Sequence, residues 1–410
     1  MSQSESILPH LFRTEYRKIV SVLCRTFGLR DVETAEDIAS ETFLTAAQTW
    51  GIQGMPPNPT AWLYTVARNK TSNHLKRRGV FDAHVSEGYR DQRNGYTALV
   101  PDLSDEYFED SQLQLMFALC HPSIPVAMQV ALCLRLLCGF GVGEIADAFL
   151  TDRQTISKRL LRAKERLRNL NVPLEMPPEQ QLHARIDGVL TTIYLLFNEG
   201  YYSDGADAVL RRDLCLEAVR LTAMLLERGK TNVPEVNALM ALMCFHFSRF
   251  DSRIDASGGL VLYDEQDSVS WNVEWVVRGG YFLQRAGTGN HVTTYHLEAA
   301  IAWYHTATAQ DKWENILRLY DQLLQIKPSP VVHMSRAYAL YKVSGSRQAR
   351  AALEGVELND SHLYQALLGQ LWMSEDRTRA RRHFVKAFEL AKSPAVKTAL
   401  QKKIELCTGA

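Results

Sequence analysis

Residues 141–168 read GVGEIADAFLTDRQTISKRLLRAKERLR, and they contain two helical patterns joined by one short connection. The first pattern, residues 141–149, predicts a short helix that is followed by a tight connection at Leu150. At the start of the second, Thr151 and Gln154 have the spacing of a capping box, in which two side chains satisfy the free N–H groups of a helix N-terminus. Together these features predict a helix-turn-helix.

The second helix has an apolar face and a polar, basic face. The apolar face repeats at helical spacing and is expected to be buried: Ile156, Leu160, Ala163 and Leu167. Polar residues at the start of such a helix reach base edges in the major groove, and basic residues along it neutralise phosphates. The alternative is a basic face that is only solvated. The predicted DNA-contact residues are Arg153, Gln154, Thr155, Ser157, Lys158, Arg159 and Arg162.

The charges of the chain are segregated along its length. The 410 residues carry 46 basic and 46 acidic side chains, so the net charge is zero. Residues 60–79 nevertheless hold five basic residues and no acid, and residues 153–168 hold seven basic residues and one acid. Residues 102–110 hold five acids and no base. Such blocks indicate separate contacts with charged partners, which the average conceals.

Composition excludes several classes of protein. A hydrophobic content of 46% and a charged content of 22% are those of a globular chain, and the length predicts two to four folded units. The seven cysteines are scattered without a CxxC pair, so we expect neither a disulfide framework nor a zinc site. No signal peptide is recognised, and the longest apolar stretch, 126–146, is interrupted by Arg135 and Glu144. We therefore predict a cytoplasmic protein without a membrane contact.

Helical spacing of apolar residues extends along almost the whole chain, so the predicted fold class is all-α. We predict a first helical domain at 1–80, an acidic linker at 81–112, a helix-turn-helix domain at 113–172 and a helical extension at 173–410. In the extension, Pro328 and Pro394 each follow a helix end and lie about two tetratricopeptide (TPR) lengths apart, which favours TPR-like repeats over a generic helical bundle.

Two stripes run along the helix predicted at 35–50. The inward stripe is apolar: Ile38, Ala39, Phe43, Ala46 and Trp50. The second stripe places two carboxylates around one exposed leucine, which suits docking against a basic helix of a partner. It comprises Asp37, Glu41, Leu44 and Gln48. The alternative is an ordinary acidic surface with one exposed leucine.

The helix predicted at 60–78 interleaves aromatic, amide and basic groups. Stacking can hold an unpaired base, amides can read its edge, and cations can hold the backbone, so this pattern suits single-stranded or melting DNA. The residues concerned are Trp62, Asn69, Asn73, Lys76 and Arg77. The preceding residues, 51–59, predict a stiff loop suited to forming a pocket. Trp62 could instead belong to the core.

Three sequence blocks resemble a known family in order and spacing. AEDIASETFLTAAQTW with NPTAWLYTVARNKTSNHLKRR resembles region 2 of extracytoplasmic-function (ECF) sigma factors, and IADAFLTDRQTISKRLLRAKERL resembles their region 4. The resemblance covers about the first 170 residues. It implies two small helical sigma domains and promoter DNA and core RNA polymerase as partners.

The resemblance also implies a role for each site. The stripe with Asp37 and Glu41 would dock on the β′ clamp helices of the polymerase, and region 4 would meet the β flap. The 51–59 loop with Asn69 and Asn73 would capture the −10 element, and the 153–162 helix would read the −35 element.

The residues beyond region 4 depart from a minimal ECF factor. IDGVLTTIYLLFNEGYY at 186–202 is similar to the extension of the ECF group that carries a C-terminal TPR-like domain. We therefore expect the extension to regulate the factor, either by binding a protein or peptide or by folding back over regions 2 and 4. Its presence puts control by a separate anti-sigma factor in doubt. The acidic linker would shield the basic helices or serve only as a tether.

Two other functions remain open. Asn198, Glu199, Asp204 and Asp207 could supply oxygen ligands to a divalent metal, although a capped helix end explains them equally well. No nucleophile–base pair, Walker loop or HExxH motif is present, so we predict no enzyme, metal or cofactor. The second alternative is a helix-turn-helix transcriptional regulator with a C-terminal sensor domain. Such a regulator would not require the helix pair at 35–78.

Overall fold

The computed structural model describes residues 3–85, 105–149, 151–201, 211–253, 261, 266–307, 309–392 and 394–408. These residues form helices and contain no strand, which confirms the all-α prediction. The chain divides into two compact units, Met1–Leu195 and Leu196–Ala410. Within the described ranges, no helix is long and apolar enough to cross a membrane.

The first unit is built from seven helices and the greater part of an eighth. They are α1 (Gln3–Phe27), α2 (Val32–Gln53), α3 (Pro59–Val85), α4 (Asp105–Leu119), α5 (Val126–Leu132), α6 (Val142–Ala148), α7 (Arg153–Leu170) and α8 (Glu179–Tyr201). Helix α1 packs against α2 and α4, and α2 packs against α3. The five residues predicted to face inward from α2 are all buried.

The acidic segment differs from the predicted linker at both ends. Helix α3 continues to Val85, and α4 begins at Asp105, so residues 105–112 are helical. Helix formation here is favoured because Phe108 is buried, with its ring 5.0 Å from that of Tyr64. The linker prediction was therefore wrong at its C-terminal end. Residues 86–104 lie outside the described ranges.

A single π-helical turn, Cys133–Leu137, follows α5 directly. It is closed by a hydrogen bond from the Cys138 N–H to the Cys133 carbonyl, 3.0 Å long. Turns of this kind interrupt an α-helix and often serve a specific contact. Here Arg135 projects from the turn onto α2, whereas Cys133 lies buried with its sulfur 3.9 Å from that of Cys120.

Most of α8 belongs to the first compact unit, which extends beyond the predicted domain boundary at residue 173. The Arg185 guanidinium donates to the carbonyl of Phe117, and the Thr192 hydroxyl donates to Oε1 of Gln129 over 2.7 Å. Because these polar contacts join α8 to α4 and α5, the compact unit continues to Leu195.

Helices of the second unit pack mainly against their neighbours in sequence. They are α9 (Arg212–Leu226), α10 (Pro234–Ser248), α11 (Val273–Ala286), α12 (Thr294–Thr306), α13 (Lys312–Ile326), α14 (Pro330–Ser344), α15 (Ser346–Ala352), α16 (His362–Trp372), α17 (Arg377–Leu390) and α18 (Pro394–Thr408). A Cβ at Gly279 would lie 2.6 Å from the Phe245 ring, and one at Gly369 would lie 2.7 Å from the Phe384 ring. Glycine thus allows α10 with α11, and α16 with α17, to approach closely.

Candidate nucleic-acid interface

The predicted helix-turn-helix corresponds to α6 and α7. At the start of α6, the Glu144 carboxylate accepts a hydrogen bond of 2.7 Å from the Gly141 N–H. Helix α7 is capped by Asp152, whose Oδ1 accepts from the Thr155 N–H over 2.8 Å. The prediction that Thr151 caps this helix was therefore wrong by one residue, because the Asp152 carboxylate is the stronger acceptor. Leu150 lies outside the described residues.

The two faces of α7 match their predicted environments. All four apolar residues predicted to be buried are buried. The seven predicted DNA-contact residues are exposed, except for half-buried Arg159, whose guanidinium lies 5.3 Å from the Phe149 ring. The Arg153 guanidinium passes close to Gly143, where a Cβ would come within 3.0 Å of it. Gly143 of α6 and Phe149, the residue directly after α6, thus lie against two of the cations of α7.

The four residues of the acidic stripe on α2 are all exposed. Asp37, Glu41, Leu44 and Gln48 lie on one face, and the Leu44 side chain is 58% exposed. Oε2 of Glu41 accepts a hydrogen bond of 3.2 Å from Lys70 of α3. Because both side chains are accessible to water, this pair contributes little stability and can exchange one partner for another. The stripe is a surface that another molecule can reach.

The predicted contacts on α3 divide into two groups. Asn69, Asn73, Lys76 and Arg77 are exposed. Trp62 is half-buried, and its ring centroid lies 5.3 Å from that of the buried Trp50 in an edge-to-face arrangement. This ring therefore takes part in the packing between α2 and α3.

The corner between α2 and α3 is shorter than the predicted 51–59 loop, since α2 continues to Gln53. Gly54 ends that helix with a positive φ of 80°, a conformation that glycine adopts without strain. Oδ1 of Asn58 accepts from the Ala61 N–H over 3.0 Å and so fixes the start of α3. Between these ends, Ile52 is 88% and Met55 36% exposed. Sequence reasoning missed these two apolar residues, although their place among prolines and glycines could have indicated an unburied surface.

The residues of the alternative metal site are described only in part. Asn198 and Glu199 are half-buried near the end of α8, whereas Asp204 and Asp207 lie outside the described residues. The metal hypothesis stays an untested prediction.

Comparisons with known proteins agree with this geometry. Residues 11–80 match the model of sigma-70 region 2, and residues 185–287 match a family of unknown function, DUF6596. An RNA polymerase sigma-H factor of Pseudomonas aeruginosa is 27% identical over 169 residues, covering 38% of this chain and 82% of the relative. No solved structure gives a significant match.

Helices α1, α2 and α3 contain the segment that matches sigma-70 region 2, and this match supports the class of sigma-70 family factors. An uncharacterized protein of Rhizobium meliloti is 33% identical over 369 residues, which cover 88% of this chain and 87% of the relative. The chain belongs to the same family as that protein.

Proposed function

We propose that the protein is an ECF-type sigma factor that binds core RNA polymerase and directs promoter recognition and transcription initiation. One observation carries the proposal. A sigma-70 region 2 domain with an exposed acidic stripe precedes a capped helix-turn-helix with an exposed basic face, all within one compact unit. Such a factor acts by binding rather than catalysis, and it works in the cytoplasm with the polymerase.

The acidic stripe of α2 is the proposed polymerase contact. Its carboxylates, Asp37 and Glu41, suit a basic helix, and Leu44 between them supplies apolar area at the centre of the contact. Resemblance to ECF factors identifies that helix as one of the β′ clamp helices. On docking, Glu41 would exchange its pair with Lys70 for a cation of the polymerase, at little net cost because the existing pair is exposed.

The α2–α3 corner and α3 are the proposed −10 contact. Ile52 and Met55 offer apolar surface to the face of an unpaired base, while Asn69 and Asn73 can read the edge of one. Lys76 and Arg77 lie further along the same helix, where they can hold phosphates. Half-buried Trp62 supports the corner through its contact with Trp50 and keeps part of its surface accessible to a base.

Helix α7 is the proposed −35 contact. Its first turn carries Arg153, Gln154 and Thr155, and the residues that follow are basic, which is the arrangement of a recognition helix. Arg162 can hydrogen-bond guanine with two donors, and Gln154 can do the same with adenine. If α7 were only a solvated basic helix, the protein would show no preference for one DNA sequence over another.

The second unit is the proposed regulatory extension, of the TPR-like kind. Its helices pack sequentially, and close glycine–aromatic contacts recur in two helix pairs. Stacked helix pairs of this type bind proteins or peptides along an extended surface. The match to DUF6596 covers the beginning of this unit and offers no function of its own.

Transcription from a candidate promoter by purified core polymerase, with and without the full chain, tests the proposal. We expect a transcript only when the protein is added, and binding to promoter DNA only together with core. A helix-turn-helix regulator would instead bind duplex DNA tightly by itself and yield no transcript with core. That result would replace the sigma factor proposal with the alternative.

A further inference from the structure

The last two helices of the second unit, α17 and α18, are strongly basic. Residues 377–403 contain nine basic residues and one acid. Residues 196–376, which form the rest of the unit before them, contain sixteen basic and twenty-two acidic residues. The second unit therefore has an acidic body and a basic C-terminal end, a separation that its small net charge conceals.

Packing turns the cations of α17 toward solvent. The apolar residues of α17 and α18 form one buried cluster: Ala380, Phe384, Ala387, Leu400 and Ile404. Because side chains at i, i+3 and i+7 share one face of a helix, three exposed basic residues form a row opposite the buried face of α17. They are Arg379, Arg382 and Lys386.

Most cations of this helix pair have no anion to compensate them. In the body of the unit, by contrast, Arg212 pairs with Asp251 at 2.7 Å, and several other arginines are paired in the same way. Among the described residues, five exposed cations of α17, α18 and the residues between them have no acidic partner: Arg381, Arg382, Lys386, Lys392 and Lys402. Like charges one turn apart, such as Arg382 and Lys386, destabilise a helix, so folding alone does not favour this row.

The surroundings of these cations favour phosphate groups as their partner. A protein interface needs an apolar centre, but no large hydrophobic side chain of the described residues in 377–403 is exposed. Unpaired bases stack on open aromatic rings. Here Phe384 is buried, and the guanidinium groups of Arg350 and Arg379 lie 3.8 and 4.7 Å from the Trp372 ring. The phosphates of a duplex require only accessible cations.

The row on α17 also has a suitable length. From Arg379 to Lys386 it extends about 10 Å at the helical rise. Each strand of a DNA duplex presents one phosphate for about every 3.4 Å of its axis. The row can therefore face about three phosphates of one strand, and the acidic body of the unit would direct the DNA away from its other surfaces.

We propose that α17 and α18 form a sequence-independent contact with the phosphates of duplex DNA. This contact goes beyond the proposed sigma factor function, which requires no DNA contact by the second unit. Phosphate contacts convey no sequence information, so the free chain should bind any duplex weakly, with a dissociation constant of about 10⁻⁴–10⁻⁶ M at physiological salt. Preference for a promoter would still depend on core polymerase.

Binding of the full chain to a fluorescent duplex of random sequence, followed by anisotropy over a range of salt concentrations, tests the contact. The variant removes three cations of α17: Arg381→Gln, Arg382→Gln and Lys386→Gln. The matched control removes three exposed cations from the body of the same unit: Lys230→Gln, Lys327→Gln and Arg347→Gln. Both proteins lose the same charge, so a difference between them reports the location of the DNA.

We expect the α17 variant to bind at least about tenfold more weakly at low salt, with a salt slope smaller by about 2–3, since each phosphate contact contributes about 0.9. The control should bind within about twofold of the parent. No binding by the parent, or equal affinities in all three proteins, would overturn the contact. An equal loss in variant and control would overturn it too, because net charge alone would then explain the binding. If the variant loses binding to a polyglutamate probe but keeps its affinity for DNA, the partner is an acidic protein and the proposal fails.

Photocrosslinking locates the DNA without removing any cation. Thr378→Cys on α17 and Gln325→Cys on α13 provide exposed sites for a photoreactive label in a Cys407→Ser background, since the other six cysteines are buried. The label at residue 378 should join the duplex, and the label at residue 325 should not. Equal yields at both positions, or none at residue 378, would contradict the contact even if the charge variant were poorly folded.

These assays contain no polymerase, so their outcome is independent of the sigma factor proposal. A protein that initiates transcription with core but shows no specific loss in the α17 variant keeps the proposed function and loses this contact. A protein that is inactive with core but shows that loss keeps the contact and loses the proposed function.

Discussion

The Thr155 amide donates to Oδ1 of Asp152 over 2.8 Å, and the Thr155 hydroxyl donates to Oδ2 of the same carboxylate over 2.7 Å. These two bonds define the first turn of α7 and lower the pKa of Asp152. An acidic cap also complements the positive end of the helix. The cap therefore fixes the conformation of the first turn of α7 and, with it, the direction in which the Gln154 side chain and those that follow point.

Asp152→Ala should lower the melting temperature and weaken binding to the −35 element, because the first turn of α7 loses its acceptor. Thr151→Ala is the matched control, and it should change neither quantity, since Asp152 provides the cap. Thermal unfolding and promoter binding with core present measure the two effects. Equal losses in both variants would contradict the assignment of the cap.

Glu41→Lys should abolish binding of core polymerase while the protein stays folded, because a cation would replace the acid of the docking stripe. The substitution also removes the pair with Lys70, so a charge swap separates the two effects. Glu41→Lys combined with Lys70→Glu restores the pair, and it should still fail to retain core in a pull-down assay. Recovery of core binding in the swapped protein would show that Glu41→Lys acts by breaking the pair with Lys70, and that the charge of the docking stripe is not responsible.

Arg162→Ala should weaken recognition of the −35 element by about 1–3 kcal/mol if its guanidinium contacts a base. The loss should then disappear on promoters that carry a different base at the contacted position. Competition binding over a set of −35 variants measures this. A uniform loss on every sequence would identify Arg162 as a phosphate contact.

Gly279→Ala should destabilise the second unit by about 1–3 kcal/mol, because the new methyl group would overlap the Phe245 ring. Gly280→Ala, one residue later on α11, meets no atom within 4 Å. It should be neutral or stabilising by up to about 1 kcal/mol through helix propensity. Urea unfolding of the two variants compares them directly, and equal stabilities would show that α10 and α11 are further apart.

Acid should destabilise the second unit through His246. Burial, together with nearby Arg249 and Arg253, lowers the pKa of His246 to about 3, whereas the unfolded chain takes up a proton near 6.5. Stability is therefore full above pH 6.5 and falls as the pH is lowered toward 3. Between pH 7 and pH 5 the loss due to this group amounts to about 2 kcal/mol.

His246→Gln should remove that part of the pH dependence, because glutamine does not titrate. The measurement is the difference in unfolding free energy between pH 7 and pH 5, so a change in baseline stability cancels. The same difference in parent and variant would show that His246 is not the responsible group.

Much of the candidate site could be predicted from periodicity. The buried stripes of α2 and α7, the exposed stripe from Asp37 to Gln48 and the short helix before α7 all appear where the sequence indicated. Periodicity succeeds here because a helix in a folded protein must bury its apolar face. Capping was harder to predict, since Thr151 and Asp152 are adjacent and both have side chains suited to an N-cap.

Local sequence by itself determined most of the helical segments, which faces are apolar and where basic residues gather. The helical turns at 105–112 were an exception, since they depend on the burial of Phe108. Tertiary structure alone decided what covers those faces. Glu36 lies on neither predicted stripe of α2, yet it is buried because Arg135 and Lys164, 99 and 128 residues further along the chain, compensate its charge. A pattern of apolar and polar residues predicts which side chains are buried by hydrophobic packing. It does not identify the partner whose charge compensates a buried carboxylate.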